Sequence, residues 1–341
     1  MRRAIGVFLI WAAGMGLLAG LLVGTGLAVH YWQKPLAEAP TTLTVEPGQS
    51  MPAIAAAIHE VQPAIPTRVI DWTARFRGQA RSIQAGEYEV RPDDRLASLL
   101  DRMVAGDVIE YRFTVPEGVT AQAFLDQLAE APRIRRTLDE LTPSAVIEAL
   151  DLPVEHLEGW LFPDTYQYPA GTTDRALIQR AFDQMREALD AAWAARADDL
   201  PLEAPYEALI LASVIEKETG LSGERGEVAG VFVNRLKRGM RLQTDPTVIY
   251  GMGKDYDGRL YSRHLREDTP YNTYTRDGLP PTPIALPSSA SLAAATRPAE
   301  TDALYFVADG SGGHAFSRTL KEHNRAVARW RAIKREQGER P

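Results

Sequence analysis

At 341 residues, with 45% hydrophobic and 24% charged positions, the chain is too long for one small module and too apolar for global disorder, and its 23 Pro and 26 Gly are scattered rather than clustered. Its 38 basic and 45 acidic residues leave a net charge of −7, which gives no electrostatic footprint for nucleic acid and excludes DNA and RNA as partners. The absence of cysteine removes disulfides, thiolate metal sites and cysteine nucleophiles together.

In chain order, Arg2 and Arg3 precede an uncharged stretch from Ala4 to Val29, about 26 residues where ~20 apolar ones cross a bilayer. The pattern predicts a cytoplasmic 1–3 and a membrane anchor over 4–32, in contact with lipid through 4–29, with Tyr31 and Trp32 at the far interface. A cleavable signal peptide ending near Gly26-Leu27-Ala28 is the competing reading, disfavoured because secretory apolar regions run to only about 7–15 residues. Residues 33–41, broken by Pro35 and Pro40, form a linker.

The alternating Leu43-Thr44-Val45 predicts a strand, Ser50 a helix to about Glu60, Thr67 a helix from Arg68 to Phe76, and Tyr88-Glu89-Val90 a second strand after Gly86. A helix from Leu96 to Met103 stopped by Gly106, and a strand from Val108 to Val115, complete a small α+β module at 42–115. Residues 116–335 then read as a mainly helical domain. Its helices fall at Ala121–Ala129, Pro143–Leu150, Asp174–Ala197, Ala204–Thr219 and from Arg225 to Gly239. A hairpin around Asp309–Gly313, a last helix from Leu320 to Ile333 and a polar tail at 336–341 follow. The fold class is α+β throughout.

Chemistry concentrates in three stretches of this domain. The run Glu158-Gly159-Trp160-Leu161-Phe162-Pro163-Asp164-Thr165-Tyr166 reads as a loop pinned to the core by Trp160 and Phe162, or as an aromatic platform for sugar faces. In the apolar helix, Glu218 lies seven residues after Leu211, four after Val214 and three after Ile215, so it shares their face, whereas Glu216 is rotated about 200° away, with Leu209, Ala212 and Ser213. A carboxyl ending an apolar stripe loses hydration, and at a helix C-terminus it meets the negative end of the dipole; both favour the protonated form that a general acid needs. A plain ion pair with Lys217 or Arg225 is the structural alternative. The third stretch, Asn234 to Gly253, carries Asn234, Gln243, Thr244, Asp245 and Tyr250, joined downstream by Tyr271, Asn272 and Tyr274. These groups can read hydroxyls and acetamides, although turn and capping roles suit each equally well. No His-x-x-x-His, phosphate-binding glycine loop or Gly-x-Ser-x-Gly elbow occurs, so no metal or cofactor is expected.

The Glu158–Tyr166 run, Glu216-Lys217-Glu218-Thr219, Asn234-Arg235-Leu236, Leu242-Gln243-Thr244-Asp245-Pro246-Thr247, Tyr271-Asn272-Thr273-Tyr274 and Tyr305-Phe306-Val307-Ala308 together resemble the YceG-like family of endolytic murein transglycosylases. The resemblance spans nearly the whole chain, less closely over the N-terminal module, and no motif matches in the C-terminal tail. It implies a bacterial inner-membrane protein with a LysM-like module at 42–115 and a periplasmic catalytic domain at 116–335. The expected substrate is nascent peptidoglycan glycan strands, and peptidoglycan synthases are possible partners. It also implies a catalytic glutamate in the Glu-Lys-Glu-Thr motif, assigned to Glu218 because these enzymes often place Ser or Thr directly after the acid, as Thr219 stands here. Glu216 and Asp164 are secondary candidates. An inverting muramidase using Asp164 or Asp245 as a second carboxylate, and a non-catalytic glycan-binding scaffold, are the alternatives.

Overall fold

The computed structural model describes residues 14–16, 26, 29–221 and 223–336. The expected anchor at 4–29, the Gly26-Leu27-Ala28 cleavage site and residues 337–341 of the tail lie wholly or mostly outside the described residues. Among the described residues no helix is long and apolar enough to cross a membrane. The chain divides into two compact units, Met1–Tyr111 with Gln167–Thr172, and Arg112–Tyr166 with Thr173–Pro341.

In the first unit β1 (Thr41–Val45) pairs antiparallel with β2 (Gly86–Val90), Leu43 opposite Tyr88 and Val45 opposite Gly86. Period-two alternation in β1 buries Leu43 and Val45 and leaves Thr41, Thr42 and Thr44 outside. Three helices, α1 (Met51–Val61), α2 (Thr67–Phe76) and α3 (Leu96–Ala105), supply Ile54, Ile58, Ile70, Leu99 and Leu100 to the core beneath. The expected order of strand, helix, helix, strand is what the chain adopts. Buried Tyr88 donates its hydroxyl to the carbonyls of Gln84 (2.7 Å) and Met103 (3.2 Å), so a polar tip inside the core is satisfied. Gly86 has φ 149°, and a Cβ there would come within 2.5 Å of Val108 Cγ1, so the start of β2 admits only glycine without rearrangement. Tyr31 and Trp32 are partly buried against this core, and Trp32 Nε1 donates to Thr73 Oγ1 at 3.0 Å.

The strands β3 (Glu110–Thr114) and β4 (Thr165–Pro169) form a second two-stranded sheet. β4 corrects the reading of residues up to Tyr166 as loop: Tyr166 and Tyr168 alternate inward with Thr165 and Gln167 outward, a pattern hidden by its shortness and by Pro163 and Pro169 at its ends.

The second unit is built around α7 (Pro205–Glu218), in which every residue from Ala208 to Ile215 is buried. A helix apolar all round must be enclosed. The enclosing helices are α6 (Asp174–Ala194), α8 (Arg225–Lys237), α9 (Asp245–Met252) and α10 (Ser289–Thr296). Two shorter helices, α4 (Ala121–Glu130) and α5 (Pro143–Leu150), precede them, each capped by a threonine hydroxyl that accepts a backbone N–H of the first turn. The last elements are the hairpin β5 (Tyr305–Ala308) with β6 (His314–Ser317), and α11 (Leu320–Glu336). Two helices fall where the sequence pattern predicts none. Asp245–Met252 lies where the sequence reads as a loop after Gly239, yet Pro246 sits where proline starts a helix. Ser289–Thr296 is a run of small residues without apolar periodicity. Helix α6 also ends earlier than expected, at Ala194 rather than Ala197, whose N–H instead donates to Thr296 O at 2.9 Å.

Candidate active site

The C-terminal turn of α7 points its two glutamates at different work. Glu216 is tied on both oxygens: Oε1 lies 3.3 Å from Arg225 Nη2, and Oε2 accepts from Ser288 N at 2.9 Å and Ser288 Oγ at 2.5 Å. Ser288 is the N-cap of α10, its hydroxyl accepting from Ser291 N at 3.2 Å, so Glu216 fastens one helix end to another. Lys217 reaches back to Gly118 O at 3.0 Å. Glu218, the last residue of the helix, receives a hydrogen bond on Oε1 from Thr244 Oγ1, and among the described residues Oε2 has no partner. Thr219 follows in extended conformation (φ −141°), so the helix stops one residue before Gly220, the expected stop.

Thr244 is held in place by its own bed of threonines. Its N–H donates to Thr273 Oγ1 at 3.1 Å, and Thr247 Oγ1 donates to its carbonyl at 2.8 Å while lying 2.9 Å from Thr273 Oγ1. Thr244 stands at the N-cap of α9, where a hydroxyl ordinarily accepts a backbone N–H; no such cap bond forms, and the hydroxyl donates to Glu218. Gln243, just before it, is exposed and adopts φ 51°, a left-handed turn that delivers Thr244 to the carboxyl.

Of the polar residues expected around the acid, Thr244, Asp245 and Tyr274 are brought to it. Tyr274 Oη donates to Asp245 Oδ1 at 2.6 Å; Asp245 raises the Glu218 carboxyl, and Glu218 in turn helps to raise the Tyr274 hydroxyl. The others are placed elsewhere. Asn272 is fully buried, its amide donating to His264 O (3.0 Å) and Glu267 O (2.7 Å) and its oxygen accepting from Tyr274 N (2.9 Å), so it braces the loop that carries Tyr274. Asn234 donates to Thr301 O (2.7 Å) and Ala303 O (3.1 Å). Tyr250 and Tyr271 pack ring to ring at 5.0 Å, with Tyr271 Oη 2.9 Å from Thr282 Oγ1. Asp164 is exposed and accepts from Thr165 N at 2.7 Å. Trp160 lies against Phe182 (5.6 Å) and Tyr206 (6.0 Å), and with Phe162 it packs on the core.

Opposed influences set the charge of Glu218. Burial pushes its carboxyl up, and Asp245 adds to that; the Thr244 hydroxyl, His314 and Arg235 pull it down. Arg235 and His314 were not among the residues singled out from the sequence. Arg235 is buried, and its guanidinium donates to backbone carbonyls, Leu304 O (2.6 Å), Leu242 O (2.6 Å) and Arg241 O (3.4 Å), and lies over the Tyr305 ring at 5.3 Å. No carboxylate pairs with it among the described residues, so its field is left to act on Glu218, while burial lowers its own pKa. His314 is fixed by Glu224, with Nδ1 2.7 Å from Oε2 and its N–H donating to Oε1 at 2.8 Å. A second carboxyl, Glu158, is buried with Oε1 accepting from Ala121 N (2.9 Å) and Oε2 from Tyr250 Oη (3.1 Å), and burial pushes it up to about 7. Both oxygens are committed, one at the start of α4. Among the described residues no group of three or more His, Asp or Glu is arranged to hold a metal.

The arrangement can therefore present one proton-bearing carboxyl, steadied through one oxygen and open at the other. The sequence profile of the YceG-like family matches residues 43–329. A Bacillus subtilis (strain 168) protein named endolytic murein transglycosylase is 31% identical over 311 residues, covering 86% of each chain. A Streptococcus pneumoniae (serotype 2, strain D39) protein of the same name is 32% identical over 224 residues, 62% of this chain and 39% of that one. Among solved structures, a crystal structure of a YceG-like protein from Listeria monocytogenes aligns with a TM-score of 0.52 at 27% identity, over 85% of this chain and 99% of that one.

Proposed function

The chain belongs to the YceG-like family, and from that premise we propose that it is an endolytic murein transglycosylase whose catalytic acid is Glu218. The observation that carries the assignment is the contrast at the end of α7: both oxygens of Glu216 are consumed in holding Arg225 and Ser288, while Glu218 keeps an oxygen free beside a threonine hydroxyl. A group held in structure cannot shuttle a proton; a group held on one side can.

In the mechanism, protonated Glu218 donates to the oxygen bridging N-acetylmuramic acid and N-acetylglucosamine. That C–O bond breaks as oxocarbenium character develops on the muramyl anomeric carbon. The Glu218 carboxylate then takes the proton of the muramyl C6 hydroxyl as that oxygen closes onto the anomeric carbon, giving a 1,6-anhydro end. An ordinary glycosidase needs a second carboxylate, about 5–5.5 Å away for retention or about 6.5–9.5 Å for inversion. Asp245 is already engaged by Tyr274, and Glu158 by Tyr250 and Ala121, which favours the single-carboxyl route. The tethered hydroxyl also outcompetes water, since effective molarities for such closures reach roughly 10⁵ M or more.

Around this site the reading places an inner-membrane protein anchored once through 4–29, with its catalytic domain at 116–335 in the periplasm. Residues 42–115 act as a LysM-like module, the substrate is nascent glycan, and synthases of the wall are the neighbours. The strand–helix–helix–strand order of the first unit and the uncharged N-terminal stretch support this. Digestion of uncross-linked glycan strands in ¹⁸O-labelled water tests the chemistry: the new ends are anhydro, lighter by one water and free of label. Labelled reducing ends as the main product would make the enzyme an inverting muramidase and turn attention to Asp164 and Asp245.

A further inference from the structure

The first unit buries its apolar residues well, with two described exceptions outside the N-terminal stretch. Trp72 and Phe76 on α2 are 52% and 69% exposed, and their rings stack at 5.1 Å with an interplanar angle of 17°. The other large apolar residues exposed in this unit, Met15 and Val29, belong to the uncharged stretch itself. On the helical wheel Arg75, Arg68, Trp72 and Phe76 fall within an arc of about 100°, opposite the buried Ile70 and Ala74. Arg68 has no ion pair among the described residues, and Arg75 is paired only along its own helix, with Asp71 at 2.9 Å. The arc is an aromatic strip edged by guanidinium groups.

Its location carries the argument. Residues 29–32 are helical, so the end of the uncharged stretch at Val29 lies only about 4.5 Å of helix rise from Trp32. Trp32 is fixed to α2 itself: its indole N–H donates to Thr73 Oγ1 at 3.0 Å, and that hydroxyl donates in turn to Val69 O at 2.7 Å. Thr73 is one step around the helix from Phe76. The stretch that enters the bilayer under the reading above is thus tied to the flank of the helix that exposes Trp72 and Phe76. Tryptophan and phenylalanine at the headgroup level, with arginine beside them, match the chemistry of an anionic lipid surface.

We propose that the exposed face of α2, formed by Arg68, Trp72, Arg75 and Phe76, lies on the anionic phospholipid surface of the bilayer next to the membrane anchor, docking the first unit there. The proposal rests on the anchor reading of residues 4–29. The contact would hold the first unit flat on the membrane rather than leaving it free on a tether.

The chain has no cysteine, so single labels can be introduced at will. The full chain is reconstituted in nanodiscs containing phosphatidylglycerol with an environment-sensitive fluorophore at Phe76→Cys, at Leu21→Cys within the apolar stretch, or at exposed Glu110→Cys as the reference for solvent access. The Phe76 label is expected to shift to the blue, to be quenched by lipid carrying a spin label near the headgroup, and to resist iodide at least threefold better than the Glu110 label. Adding Arg68→Glu should restore iodide access. A Phe76 label that lipid leaves bright while Leu21 is quenched by deep spin labels overturns the docking and spares the anchor. If both are silent to lipid, the anchor reading falls and the docking with it. Protection that appears only when glycan strands are added, or only as protein concentration rises without lipid quenching, overturns the proposal in favour of a glycan or self-association surface.

Discussion

Exchanging each glutamate at the end of α7 for glutamine should separate structure from chemistry. Glu216→Gln keeps an acceptor for Ser288 but sets an amide N–H₂ against the Arg225 guanidinium, where the two side chains are 5% and 10% exposed. Breaking one side of a buried ion pair costs about 3–5 kcal/mol. For a unit of roughly 220 residues each kcal/mol moves Tm by about 2–4 °C, so even the lower figure predicts a fall of about 6–12 °C. Glu218→Gln retains the oxygen that accepts from Thr244 and removes a carboxyl that burial disfavours in its charged form, so Tm should stay within a few degrees. Turnover should behave in reverse. General acid and base catalysis contributes about 10²–10⁴-fold, and because the proposed mechanism uses one carboxyl for both steps Glu218→Gln should lie at the upper end of that range. Glu216→Gln, assayed well below its Tm, should stay within about tenfold of the parent, because no reacting atom meets it. Scanning calorimetry and chromatography of glycan digests read the two axes. A stable, dead Glu216→Gln beside an active Glu218→Gln would refute the assignment and the helical-face reasoning beneath it.

Since Glu218 must carry its proton to donate it, activity should fall as pH rises through its elevated pKa; Thr244→Val, which removes the hydroxyl that holds that pKa down, should move this limb of the kcat/KM profile to higher pH. Glu158, buried and raised to about 7, favours the protonated native state, so the parent should lose up to about 3 kcal/mol of stability as pH climbs from about 4.5 to about 7, and Glu158→Gln should flatten that window in denaturant titrations. Gly230→Ala places a Cβ 2.7 Å from both Ala299 O and Thr301 Cγ2, and the overpacking should cost about 1–3 kcal/mol in the same titrations with the product pattern unchanged.

What could be read in the chain followed from periodicity. Alternation found β1, and apolar spacing found α7 and the divergence of Glu216 from Glu218. The same arithmetic, applied to the next helix, finds Arg235: it lies seven residues after Val228, four after Val231 and three after Phe232, as Glu218 does after Leu211, Val214 and Ile215. That register puts a cation on the buried face of the helix, where Arg235 sits. Ser289–Thr296 offered no such pattern because alanine and serine pack without marking a face. Thr244 could be suspected from composition, but its donation to Glu218, 26 residues away, depends on a left-handed Gln243 and on Thr273, 29 residues away. His314 is 90 residues from the Glu224 that fixes it. Contacts between elements so distant leave no local spacing to read.

The proposed mechanism asks one carboxyl to be both a sufficient acid and a sufficient base. A glutamate in bulk water gives up its proton too early to donate it near neutral pH, and one sealed in an apolar core would never release it. Glu218 stands between these limits because its surroundings do both things at once. The apolar face of α7 and the neighbouring Asp245 favour the protonated form that starts the reaction. The Thr244 hydroxyl, Arg235 and His314 favour the carboxylate left after donation, which must then accept the C6 proton. Arg235 can exert that influence only because its own hydrogen bonds end on carbonyls, which orient the guanidinium without neutralising it. Likewise the Thr244 hydroxyl, which makes no cap bond to α9, donates to the Glu218 carboxyl. Among the described residues Arg235 lacks a carboxylate partner and Thr244 a capping N–H, and the carboxyl beside them is left with the balanced affinity for a proton on which the proposed two-step, single-residue mechanism depends.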